Sequence, residues 1–378
     1  MELILFRVLY FFLFFGVASI VGMLVPFLQY KGYNPMEIGI LISLYTISGM
    51  LGQFFIGYIC DKFSTIKKIF FPSIIIMMIT NTVAVMFDQK VMFYSSFLIM
   101  GFFYYIVVNL LDSWVMENNE NIKCKFGPLR AFGSIGWAMG VLVSGFIISK
   151  FGYNTVNIMY IVTTSIALMV SFKLKDTSKE CKEKIDFKPL FKNKEYLLTI
   201  VILLTICIAF RSYCQLIPYT IESIGGTTSN LGIFNCISSV SEIVMLICCS
   251  KIMHKFSPDK LLILSPLAIL LQTLILYFIP NINIIYISGI FQIFTYPIIL
   301  MVGRIMIDRI SPKNLKTSSQ LIGFAIFNSL GTIIGSIGMG FIIEKLNIKF
   351  ANLVLIGMTL IGICSAIFYD KKIRDKTL

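Results

Sequence analysis

Residues 8–28, VLYFFLFFGVASIVGMLVPFL, contain no charged side chain. A helix crossing the hydrocarbon core of a bilayer needs roughly 20 mostly apolar residues. No water is available there, so each backbone group must be satisfied within its own helix. This stretch is long enough and apolar enough, and eleven more follow it: 36–60, 69–87, 91–116, 130–149, 153–172, 196–221, 230–250, 261–279, 284–307, 319–343 and 350–369. The whole composition agrees with that reading. Hydrophobic residues are 57% of the chain and charged residues 13%, against about 25% charged in an ordinary soluble domain. The mean hydropathy is +0.87. The expected fold is all-α and integral to the membrane, with twelve transmembrane helices.

Most connections between the runs are short. The exception, 173–195, is rich in Lys, Asp and Glu and reads as a solvated linker with room for an amphipathic helix. It separates an N-terminal six-helix bundle, 1–172, from a C-terminal bundle with a short tail, 196–378. The halves repeat at a shift of about 193 residues. Leu24-Val25-Pro26-Phe27 aligns with Leu216-Ile217-Pro218-Tyr219, Gly32 with Gly225, Ile38-Gly39-Ile40 with Leu231-Gly232-Ile233, and Gly145-Phe146-Ile147-Ile148 with Gly340-Phe341-Ile342-Ile343. Six spans per half return each copy to its starting side, so a pseudo-two-fold axis runs along the membrane normal. Substrate is then expected near mid-depth between the copies.

Basic residues in short loops set the orientation. With both termini cytoplasmic, 25 of the 32 basic residues fall on the cytoplasmic side and five on the other, Arg7 and Arg130 being counted among the loop residues. The remaining two, Arg211 and Arg304, lie within spans. The net charge of +13 is thus a topology signal facing an anionic leaflet, not a nucleic-acid footprint. The first run exceeds a signal-peptide core and lacks a small-residue cleavage site, so it is expected to stay as a helix. None of the nine cysteines falls in an outside loop, and no disulfide framework is expected. There is no His/Asp/Glu cluster with metal-ligand spacing, no phosphate loop and no nucleophile triad, so no enzyme, metal or organic cofactor is expected.

Gly57-Tyr58-Ile59-Cys60-Asp61-Lys62-Phe63, followed by Lys67-Lys68, is similar to the loop signature of the major facilitator superfamily between its second and third spans. The resemblance implies a cytoplasmic gate latched by Gly57, Asp61, Lys62 and Lys67. In the second half the matching segment, 250–256, has lost the Gly and the Asp; it carries His254, the single histidine, which reads as a surface residue. A second resemblance lies at spans 4 and 5: Asp112, then Arg130 18 residues on, then Phe132-Gly133-Ser134-Ile135-Gly136-Trp137-Ala138 and Gly140. This resembles the lactose-permease-like branch, which includes nucleoside and phenylpropionate permeases. It implies that Asp112 and Arg130 bind hydroxyls and that Trp137 stacks on a ring. The residues support this separately, since Arg130 and Trp137, seven apart, share one helix face. A structural Asp112–Arg130 ion pair is the other reading.

In the second half Arg211 and Glu242 fall at mid-depth on adjacent spans. An ionisable group there costs at least about 2.5–3.5 kcal/mol on the insertion scale, so the two are expected to pair or share a cavity. Ser239-Val240-Ser241-Glu242-Ile243 resembles the corresponding segment of phenylpropionate-type permeases. Glu242 can be a proton-coupling carboxylate or half of a static clamp. Arg304 and Asp308, four apart, are expected to form a helix-stabilising pair. Aligning Pro297 with the proline of the lactose-permease proton relay places Gln272, Gln292 and Thr295 where that relay has arginine, histidine and glutamate, so that relay is absent. Asn109 and Gln292 remain as candidate substrate contacts, with Gln53, Asn81, Gln215, Asn235 and Asn328 as further candidate lining.

The expected function is secondary transport of a small polar solute with a ring, a sugar or nucleoside, imported by alternating access with the proton gradient as energy source. A proton-driven exporter of the same superfamily is the alternative, though span 5 lacks the proline of the usual exporter motif. A non-transporting membrane sensor is the third reading. The expected partners are solute, protons and lipid, for a monomer in a bacterial cytoplasmic membrane.

Overall fold

The structure is a computed structural model describing residues 2–63, 65–177, 188–311 and 316–377, with the side chains of 54, 56–63, 188–189, 249–251, 253–255, 316–318, 321 and 372–377 outside the description. Twelve described helices are long and apolar enough to cross a membrane. They are span 1 (Glu2–Val21), span 2 (Pro35–Phe63), span 3 (Lys67–Met86), span 4 (Lys90–Met116), span 5 (Phe126–Phe151), span 6 (Tyr153–Phe172), span 7 (Lys194–Ser223), span 8 (Thr228–Lys255), span 9 (Pro258–Phe278), span 10 (Ile282–Ile310), span 11 (Lys316–Lys345) and span 12 (Ile348–Thr377).

Two expectations about these helices need correction. The first run begins at Glu2 rather than 8, and it breaks at Gly22-Met23 before a short helix, Leu24–Tyr30. Arg7 and Arg130, assigned to loops, therefore lie inside spans 1 and 5. Apolar counting failed there because the helix runs on through an exposed cation, Arg7, whose guanidinium lies 5.4 Å from the centroid of the Phe132 ring. Span 10 is not continuous. Helix Ile282–Ile290 passes into a single 3-10 turn, Phe291–Phe294, and a new helix starts at Tyr296. Pro297 explains the restart: it lacks an N–H, so it is tolerated in the first turn of a helix and not in its interior.

Contacts divide the chain into two compact units. One comprises Met1–Tyr33, Leu44–Glu183 and Thr227–Val240; the other comprises Asn34–Ser43, Lys184–Gly226 and Ser241–Leu378. The division falls at 183/184, inside the expected linker. The opening segments of spans 2 and 8 cluster with the unit of the opposite half, and glycine is the reason. A Cβ on Gly39 would collide with the Ser336 carbonyl, and one on Gly340 with the Pro35 carbonyl, so 34–43 lies backbone to backbone on span 11. A Cβ on Gly232 would collide with the Val141 carbonyl, and one on Gly145 with the Thr228 carbonyl, so 227–240 lies in the same way on span 5. Gly39 and Gly232 correspond in the repeat, as do Gly145 and Gly340. One contact geometry thus occurs twice.

Within each unit the repeat is equally visible. Span 5 lies on span 1 because Gly136 and Gly140 leave room for the Phe11 and Phe15 carbonyls. Span 11 lies on span 7 because Gly331 and Gly335 leave room for Cys207 and the Ser212 backbone. Small residues admit this approach where lipid supplies no hydrophobic drive for association. Gly32 and Gly225, aligned in sequence, both carry positive φ (83° and 78°), a conformation that L side chains disfavour. Buried Asn81 donates to Asn157 at 3.1 Å and so ties span 3 to span 6.

The packing predicts opposite outcomes for two glycines. Gly136→Leu places a branched side chain against the Phe11 backbone and should cost about 1–3 kcal/mol or more, read as a lower Tm of the detergent-solubilised protein. Gly338→Ala meets nothing within 4 Å and should leave Tm within a degree or two, on the scale of ordinary surface substitutions.

Candidate substrate and coupling sites

In the first unit the candidate site is built by spans 1, 4 and 5. Tyr10 and Phe14 lie one turn apart on span 1, with rings stacked at 6.1 Å and 24°. The Tyr10 hydroxyl donates to Asp112 Oδ1 at 2.7 Å. Arg130 Nε lies 3.6 Å from the same oxygen, an electrostatic contact longer than a hydrogen bond. The Arg130 guanidinium stacks over the Phe14 ring, 4.3 Å from its centroid. Gly133 makes this possible: a Cβ there would press on both Arg130 Nη1 and Phe14 at 3.0 Å.

Both charged side chains are about one-third exposed (Arg130 34%, Asp112 31%). Among the described residues the terminal nitrogens of Arg130 have no acceptor. The result is a planar donor fork, held flat on an aromatic ring beside a carboxylate, that can accept a bidentate oxygen ligand. Trp137, two turns further along span 5, is half-buried, and its indole N–H has no acceptor among the described residues. Asn109 is exposed on span 4 and donates to the Tyr105 carbonyl of its own helix at 2.7 Å.

In the second unit Arg211 and Glu242 are each half-buried and close enough to interact electrostatically. Arg211 also donates from Nη2 to Asn328 Oδ1 at 2.6 Å. Its guanidinium lies 5.5 Å from the Phe210 ring and 5.2 Å from that of Tyr296, and these two rings stack on each other at 5.3 Å. Glu242 faces the Gln292 side chain. Gln292 is buried in the 3-10 turn of span 10, where its Oε1 accepts from Gln272 Nε2 at 3.1 Å. The sequence missed Tyr10, Phe14 and Tyr296, and gave Asn328 as candidate lining without its partner Arg211. The Tyr10/Phe14 spacing of four was the available signal, lost among the eight other aromatic or leucine residues of span 1. The expected Arg304–Asp308 pair does not form. Arg304 is exposed without an ion-pair partner among the described residues, and Asp308 accepts from Gln320 at 3.3 Å.

The side chains of the expected gate residues Gly57, Asp61 and Lys62, and of His254, lie outside the described residues. Lys67 is described. Its Nζ donates to the carbonyls of Phe172 (2.8 Å) and Leu174 (2.6 Å), closing the end of span 6. Asp176 reciprocates by accepting from Thr65 Oγ1 and from the backbone N–H groups of Ile66 and Lys67, at the start of span 3. Trp114 of span 4 donates to the Lys175 carbonyl at 2.9 Å. Spans 3, 4 and 6 are thereby tied at one end.

A family model described as the MFS_1 like family matches residues 3–354, and the chain belongs to that family. It is a multi-pass membrane transporter of the major facilitator superfamily, not an enzyme. Sucrose permease of Escherichia coli is 23% identical over 367 residues, covering 91% of this chain and 88% of the relative. Maltose permease of Geobacillus stearothermophilus is 19% identical over 376 residues, covering 98% and 95%. A crystal structure of a nucleoside transporter superposes with a TM-score of 0.87 at 16% identity, covering 97% of this chain and 99% of that one. The twelve-helix fold expected from the sequence is borne out.

The Asp176 turn has a defined pH response. Burial alone would raise its carboxyl, but hydrogen bonds from Thr65, Lys67, Ile66 and Thr177 outweigh burial and hold it below the usual carboxylate range. A depressed folded value means stabilisation that is complete above the unfolded value of about 3.9 and lost as pH falls through the folded one. Asp176→Asn should therefore lower Tm at neutral pH, with the gap to the parent closing in acid. A gap that does not vary with pH refutes the assignment.

Proposed function

We propose that this chain is a proton-coupled importer of a small polar solute with a ring, a sugar or nucleoside, working by alternating access. The observation that carries the reading is the Arg130 fork, stacked on Phe14, with no acceptor among the described residues and the Asp112 carboxylate beside it. Such a fork binds vicinal oxygens bidentately, and Asp112 accepts from a hydroxyl. Trp137, on the same helix face, offers an apolar surface for a ring. The names of the sucrose, maltose and nucleoside relatives support this solute class. Asn109 serves as a secondary contact in the first unit.

Glu242 is the proposed coupling carboxylate and Arg211 its counter-charge, with Asn328 holding Arg211 in place. A carboxylate in the bilayer that has both a cationic neighbour and an amide donor can exchange a proton without leaving either form unpartnered. The transmembrane proton gradient is the energy source and no organic cofactor takes part. The twice-repeated glycine contacts, 34–43 on span 11 and 227–240 on span 5, suit alternating access, since backbone surfaces without side chains separate and re-form without repacking. Gly57, Asp61 and Lys62 form the proposed cytoplasmic gate, beside Lys67, which anchors the end of span 6. The chain is proposed to act as a monomer in a bacterial cytoplasmic membrane, both termini cytoplasmic.

Cells expressing the chain, offered a panel of labelled sugars and nucleosides, should accumulate at least one, and a protonophore should abolish the accumulation. Glu242→Gln should keep solute exchange and lose accumulation; accumulation at the parental level in that variant rejects the coupling role. Arg130→Lys should raise the half-saturating solute concentration at least tenfold, because lysine lacks a planar fork. Parental affinity in that variant makes Arg130 structural.

A further inference from the structure

Three side chains in the second unit form a chain of hydrogen-bonding groups whose direction can be derived. Gln272 is fully buried on span 9, and its Nε2 donates to the Ser288 carbonyl at 2.9 Å. A carbonyl can only accept, so the amide end of Gln272 facing span 10 is its nitrogen. The same Nε2 meets the Gln292 side chain at 3.1 Å, and the atom it meets must be an acceptor, Oε1. The Gln292 nitrogen is then the end turned toward Glu242, which faces that side chain. An amide orientation that is otherwise a choice of assignment is here dictated by one backbone oxygen.

The arrangement has a visible cost. Gln272 Oε1 is buried and has no hydrogen-bond partner among the described residues, which forfeits the solvation of that oxygen. Turning the Gln272 amide over would place oxygen against both the Ser288 and Gln292 oxygens, which is worse. The 3-10 turn supplies the remaining part. The Gln292 carbonyl accepts from Thr295 N (3.1 Å) and Thr295 Oγ1 (3.0 Å), and Ser265 Oγ donates to the Thr295 carbonyl at 3.3 Å, so the break in span 10 holds Gln292 at a set position.

We infer that Gln272 is a positioning residue: anchored on the Ser288 carbonyl, it fixes the Gln292 amide so that this amide can only donate to Glu242, setting how firmly Glu242 holds its proton. The role rests on the reading of Glu242 as the coupling carboxylate. The other charged or titratable groups facing Glu242 among the described residues are Arg211 and Cys214, both on span 7. Neither touches Gln272 in the described contacts. In the sequence alignment Gln272 and Gln292 occupy the arginine and histidine positions of a charged relay; here two neutral amides orient a donor toward a carboxylate on a different span.

The test needs no identified solute. Purified protein in lipid is titrated by infrared spectroscopy of its carboxylic-acid band, with Glu242→Gln defining the share that belongs to Glu242. In Gln272→Met the Glu242 band should reach its midpoint about one pH unit higher, the loss expected when a charged acceptor is deprived of an aligned donor. Gln272→Leu is close in volume and likewise lacks the donor, so it should move the midpoint the same way. An unmoved midpoint in either folded variant overturns the positioning role while leaving Glu242 as the coupling group. The absence of any Glu242→Gln-sensitive band rejects Glu242 as that group, and this inference with it.

Discussion

In hydrocarbon the backbone hydrogen bonds of each span are already closed within the span, so helices there gain little by pairing polar backbone and nothing by excluding water. What remains is close contact, and close contact requires small residues. The structure depends on this constraint at each helix pair that matters. Gly136 and Gly140 seat span 5 on span 1, Gly331 and Gly335 seat span 11 on span 7, and Gly39, Gly145, Gly232 and Gly340 repeat one backbone contact in both units. Static packing and movable contact make the same demand. The same residues can therefore build the bundles and allow surfaces to part.

Charge inside such a bundle is retained only where something compensates it. The two candidate sites solve this with the same parts. Each has one arginine laid against aromatic rings, Phe14 in one unit and Phe210 with Tyr296 in the other, and each arginine has a carboxylate as neighbour. A guanidinium tolerates this because it is weakly hydrated and stacks well. The difference between the sites is in how the fork is used. Arg211 donates to Asn328, whereas the terminal nitrogens of Arg130 have no acceptor in the described structure. One fork is engaged by a side-chain amide, and the other is not engaged among the described residues.

A third arrangement lies where spans 3, 4 and 6 meet the linker. Lys67 closes the carbonyl end of span 6 while Asp176 closes the amide end of span 3, each charge placed where the helix dipole favours it. Lys67 was expected from its loop signature to belong to a gate. In the structure its ammonium donates to two carbonyls of its own unit, which lets a rigid bundle end where the linker begins.

The number of spans, their order and the repeat were legible in the amino-acid sequence, because apolar length and Pro/Gly spacing are properties of consecutive residues. Asp112, Arg130, Trp137, Arg211 and Glu242 were legible for the same reason: a charge or an indole is conspicuous in an apolar run. What accompanies them was not legible. Tyr10 and Phe14 are two aromatics among many until span 1 is laid against span 5, and Asn328 lies 117 residues from the arginine it holds. Loops were misassigned at Arg7 and Arg130 because a helix can run on through a cation that lies against a ring distant in the chain. The break in span 10, and the orientation of two glutamine amides by a single carbonyl, belong wholly to tertiary structure. Hydrogen-bond direction is decided by which atoms meet, and residues 20 apart in the chain meet only after the helices have packed.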